Sequence, residues 1–143
     1  MSYTVDLLDG LARLLDTAGV GTYRPDGVYA AGETAITIAA TPPVPDRVIC
    51  LSAYPVEESA ALTDTTTGIQ VRTRAGPDPR EVDALDDQVL DVLHGSGPHH
   101  WGAAWVQLIY RNSAAPIGAD GSGRAERSSN YYARAHRAAR HLE

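Results

Sequence analysis

The chain predicts an α+β fold: a mainly antiparallel sheet with two helices on one face, in the order α-β-β-β-α-β-β. Three observations predict it. Residues 5–18 and 78–94 repeat apolar side chains at helical spacing. Five other runs are rich in β-branched or aromatic residues. Helices and strands are partly segregated, where a parallel α/β sheet would alternate them strictly. The length of 143 residues fits one domain, taken as 1–143, and 43% hydrophobic residues can fill a core.

The first helix is expected at 5–18, with Leu7, Leu8, Leu11, Leu14, Leu15 and Ala18 on one stripe. Thr4 can cap it, Asp6 suits the positive first turn, and Gly19 can close it. Residues 19–32 have the glycine and proline content of a loop. The first strand is 33–40, with Ile36 and Ile38 on one face. Prolines at 42, 43 and 45 break the chain before the second, 47–54, which is apolar on both faces and so central. Residues 55–67 read as a polar loop. The third strand, 68–75, alternates Ile69, Val71, Thr73 and Ala75 with Gln70, Arg72 and Arg74.

The second helix carries the clearest signals. Asp78 is an N-cap, Pro79 fits the first turn, and Glu81 stands where a capping-box acid belongs. Val82, Leu85, Val89, Val92 and Leu93 make its buried stripe, and Gly95 ends it. Asp83, Asp86, Asp87 and Asp91 make its solvent side acidic. A strand at 101–111 follows the HGSGPHH turn, then a polar loop at 112–126, then a last strand at 127–137.

Net charge is −6, which argues against a dedicated nucleic-acid or anionic-membrane binder. All 12 basic residues are arginine, a bias expected of a GC-rich genome. The N-terminal segment lacks the basic start of a signal peptide, and acids interrupt it, so neither a leader nor a membrane span is expected. Cys50 is the single cysteine, so no intrachain disulfide can form.

Candidate chemistry is sparse. His94, His99 and His100 cluster around one turn, but no cysteine or HExxH pattern completes a metal site. The expected reading is packed or turn-lining histidines, with no metal and no cofactor. Cys50 lies in an apolar strand, where cysteine acts as a small hydrophobe. The GADGSG segment, 118–123, lacks the Lys and Ser/Thr of a phosphate loop. Its glycines and Asp120 suit a flexible turn, and Asp120 is also a candidate interface residue. Arg72 and Arg74 share one strand face, and Arg134 shares a strand with Tyr132 and His136. Such faces suit nucleic-acid stacking or protein interfaces, and the acidic balance favours the second. Arg111 and Arg124 flank the 112–126 loop and are candidate interface anchors.

Two stretches carry a resemblance. "IQVRTR" runs directly into "DPREVDALDDQVLDVLHG", and a P-I-G-x-D-x-x-G-R segment precedes "SSNYYARAHR". Nearly the whole chain resembles the tail terminator or minor capsid proteins of long-tailed bacteriophages. The resemblance implies a virion protein of the tail and neck, assembled in the bacterial host cytoplasm. It implies a ring, usually a hexamer, that caps the head-proximal end of the tail tube and stops its polymerisation. Implied partners are further copies, the major tail tube protein and the head-completion protein, with DNA passing through the lumen unbound. A head-completion or other neck connector protein is the alternative. A small metal-dependent enzyme built on the His94–His100 turn, or a host-type binding module, stands further off.

Overall fold

A computed structural model describes residues 2–142. The elements are α1 (Tyr3–Thr17), β1 (Thr22–Tyr23), β2 (Thr34–Ile38), β3 (Arg47–Glu58), β4 (Asp64–Arg74), α2 (Pro79–Leu93), β5 (His99–Trp101), β6 (Ala104–Ala119) and β7 (Ala125–His136). The expected order holds, with β1 and β5 as short additions. All seven strands form one sheet in the order β1-β2-β3-β4-β7-β6-β5. Only the β1–β2 and β2–β3 pairs are parallel; β3–β4, β4–β7, β7–β6 and β6–β5 are antiparallel.

The helix ends show how local chemistry sets the elements. Ser2, not Thr4, caps α1: its Oγ accepts from the Val5 amide at 3.4 Å. Gly19 closes α1 at φ +82°, with its amide on Asp16 O and the Val20 amide on Leu15 O. Asp78 caps α2 through the Arg80 amide. Glu81 does not complete a capping box; its carboxylate instead accepts from the Gly76 amide at 3.0 Å and holds the strand-to-helix turn.

Both helices pack on one sheet face. Leu7, Leu11 and Leu15 of α1 and Leu85, Val89 and Leu93 of α2 are fully buried there. They share a core with Ile36, Ile49, Leu51, Ile69, Val71, Ile109 and Tyr131. Val92 packs only against its margin. The acidic side of α2 has one exception: Asp86 is 1% exposed and accepts from Ser129 Oγ at 2.6 Å. Its spacing, four residues after Val82 and three before Val89, puts it on the buried face; only its charge argued for the solvent side.

The two expected loops are mostly strand. Residues 55–67 are the ends of β3 and β4, joined through 59–63. Residues 112–126 continue β6 and begin β7, so the expected long loop shrinks to a five-residue turn at 120–124. The reason is physical. These stretches are made of polar and small side chains, so little hydrophobic alternation marks them. Backbone pairing with a neighbouring strand defines them instead. Three register shifts along β6 absorb its irregular residues, and Pro116 is tolerated because β6 is an edge strand over this stretch.

The candidate assembly interface

The face of the sheet away from the helices is partly capped at one end. There Tyr29 packs against Ala35, Val48 and Cys50. The thiol of Cys50 is buried, 3.6 Å from the Ala40 carbonyl oxygen.

Arg74 lies under the proline loop and is 4% exposed. Its guanidinium donates to the carbonyl oxygens of Pro42 at 2.6 Å, Pro45 at 2.7 Å and Asp46 at 2.9 Å. Burial, with help from the nearby Arg124 cation, lowers its pKa from the usual arginine value. Arg74 is therefore a clamp inside the chain, not an open anchor. Strand alternation placed it on the same face as Arg72 correctly, but could not show that the 42–46 segment folds over it.

Asp120 and Arg124 also turn inward. Asp120 Oδ1 accepts from the amides of Ser122 at 3.0 Å and Arg124 at 2.9 Å, and Oδ2 accepts from Arg124 Nε at 2.8 Å. The Arg124 amide bond leads the effects holding the Asp120 carboxyl below its ordinary pKa. Arg124 Nη1 reaches across to Pro43 O at 2.7 Å and Asp46 Oδ1 at 3.1 Å. The hairpin tip is thus pinned to the proline loop, which corrects the expectation of a flexible turn.

Arg111 sits on the helix side, 3.4 Å from Asp86 Oδ2. Arg127 also approaches that oxygen, at 3.5 Å, and donates to Asp83 at 3.1 Å. Together they tie α2 to the β6–β7 hairpin. Arg127 was not singled out in the sequence, though its place one residue after Glu126 in the alternating run puts it on the helix face.

Arg72, Tyr132 and Arg134 remain on the outer face. Arg72 donates through Nε and Nη2 to Glu126 Oε2, at 3.0 and 2.7 Å, with half its side chain exposed. Tyr132 stacks edge-on with Tyr110, ring centres 5.9 Å apart. Across the same row Tyr54 lies over Gly68, which has no side chain to hold it off, and donates to Asn130 Oδ1 at 3.1 Å. Arg134 is exposed and, among the described residues, forms no ion pair. Trp105 and Leu108 extend the patch, 54% and 38% exposed. This mixture of tyrosine, tryptophan and arginine is the composition of a protein interface.

The histidines do not converge. His94 Nδ1 accepts from the Arg111 amide at 3.0 Å. His99 stacks on Trp101 and meets Ser96 Oγ at 3.1 Å, and burial lowers its pKa. His100 packs against Trp105. Among the described residues no group of three or more His, Cys, Asp or Glu could hold a metal ion. No described helix is long and apolar enough to cross a membrane.

A family profile described as "Bacteriophage tail terminator protein" matches residues 14–137. The chain belongs to the bacteriophage tail terminator family. That match takes in the last turn of α1, all of α2 and the whole β6–β7 hairpin. Tail terminator membership identifies a structural phage protein, in agreement with the resemblance carried by 69–95 and 116–137. Among solved structures, a chain from the "Virion of native gene transfer agent (GTA) particle" is similar in fold, with a TM-score of 0.58 and 13% identity. The alignment covers 88% of this chain and 84% of that one. No curated protein matches in sequence.

Proposed function

We propose that this tail terminator family member assembles as a ring, a hexamer, at the head-proximal end of the phage tail tube. There it ends tube polymerisation and offers its other side to the head-completion protein. The observation carrying this reading is the family match across 14–137. The outer sheet face supports it, because exposed Tyr54, Trp105 and Arg134, with half-buried Tyr132 among them, suit contact with other protein chains. Arg72, Tyr132 and Arg134 keep their proposed role at subunit or partner interfaces. DNA passes through the lumen without specific binding, in keeping with a net charge of −6. The reading places the protein in the virion neck after assembly in the host cytoplasm, with no enzymatic role.

The test has two arms. Electron microscopy of the purified protein should show closed rings. Disrupting the gene in its phage should give tails of uncontrolled length that fail to join heads. Normal, joined tails without the protein would overturn the assignment. Joined heads with unterminated tails in its absence would also overturn it.

A further inference from the structure

The loop between β1 and β2 is built more firmly than a connector needs to be. Arg24 donates Nη1 and Nη2 to the two oxygens of Glu33, at 2.6 and 2.7 Å. Glu33 also accepts from the Ala30 amide at 2.7 Å. The Tyr29 hydroxyl accepts from the Arg24 amide at 2.9 Å and donates to Ile36 O at 2.7 Å. The Arg24 guanidinium lies over the Tyr29 ring, 5.6 Å from its centre. At the tip of this stapled loop stands Val28, 88% exposed. A lone exposed valine on a loose loop carries no meaning. Here the ion pair and hydrogen bonds within the loop hold it in one shape, which lowers the entropy lost in presenting the valine to a partner. Beside it, exposed Asp26 pairs with no cation among the described residues.

The same chain has a receptor of matching character. A cleft of about 500 Å³ is lined by Tyr3, Ala103, Trp105, His136, Arg137 and Ala138, with Ser2 at its margin. Its aromatic wall is the half-exposed Trp105 indole beside His136, ring centres 6.3 Å apart. Arg137 lies over the Tyr3 ring at 4.5 Å and has no carboxylate in ion-pair range among the described residues. The cleft therefore offers an apolar wall and an unpaired cation; the loop offers an apolar knob and an unpaired anion. A surface feature and a different, complementary feature on one chain make a head-to-tail contact, which closes into a ring when the rotation allows.

We propose that the Arg24–Glu33 loop of one copy seats Val28 in the Tyr3–Trp105–Arg137 cleft of the next copy, with Asp26 facing Arg137. This rests on the ring reading and names the contact within it.

The test uses the full chain with Val28→Cys and Ala138→Cys together, and each alone. Cys50 is buried and stays out of the reaction. After mild oxidation of the assembled protein, a non-reducing denaturing gel should show a ladder of covalent multimers for the pair only. A second arm reverses charge. Asp26→Arg and Arg137→Asp should each weaken assembly about tenfold or more by sedimentation, and the two together should restore most of it. Rings that form normally without a ladder, or survive both single reversals, overturn this contact while leaving the ring reading intact. A wild-type protein that stays monomeric at high concentration overturns both.

Discussion

The Trp101 indole lies against the bare backbone of Gly10, so close that a Cβ there would overlap the ring. Glycine in a helix interior costs about 1 kcal/mol relative to alanine, so α1 gives up propensity to let β5 close on it. Gly10→Ala is expected to destabilise the protein by about 1–2 kcal/mol net, because overpacking outweighs the helix gain. Urea titration measures it. A stabilised variant would mean that the indole has room to move aside.

Asp86 and Asp87 are adjacent acids on α2 with opposite environments: the first is buried, the second exposed. Asp86→Ala removes the acceptor of Ser129 and the charge facing Arg111 and Arg127. The expected loss is about 3 kcal/mol, at the low end for a broken buried pair because both arginines keep some exposure. Asp87→Ala should stay within about 0.5 kcal/mol. Equal effects of the two substitutions in chemical denaturation would refute the distinction.

Leu85 is fully buried between α2 and the sheet. Leu85→Ala should cost about 2–5 kcal/mol, through lost burial and the cavity left behind. A near-zero shift of the denaturation midpoint would show that the α2 stripe is not core.

Glu33 supplies a pH signature. The Arg24 guanidinium, followed by the Ala30 amide, lowers its carboxyl pKa from 4.5 to about 2. A depressed acid contributes stability that is fully present above the unfolded value and lost as pH falls through the folded value. The Arg24–Glu33 staple should therefore hold at neutral pH and release between about pH 4.5 and 2. Carboxyl chemical shifts of Glu33 across an acid titration will report it. A midpoint near 4.5 would mean the ion pair does not persist in solution.

The hairpin offers a further check. Ser128, Ser129 and Asn130 pair with β4 on one side and β6 on the other. Their amides should exchange slowly, as core strands do. Fast exchange there would mean that β7 does not hold its place between β4 and β6.

Much of this molecule was set by local sequence. The two helices, their order among the strands, the closing glycines and the Asp78 cap follow from side-chain spacing and capping chemistry, which act within a few residues. So did the central place of β3, apolar on both faces, and the family resemblance in the "IQVRTR" and "SSNYYARAHR" stretches. Tertiary structure alone decided the rest. The stretches 55–58, 64–67 and 112–119 are strands because a neighbouring strand takes up their backbone groups, and such partners lie far away in sequence. Asp86 is buried because Ser129, 43 residues later, meets it. Arg74 and Arg124 face inward because the proline loop comes to them with its carbonyl oxygens, leaving Arg72, Tyr132 and Arg134 outside. Periodicity states which side of an element a residue occupies. What covers that side is settled by contacts between distant segments, and so it was here.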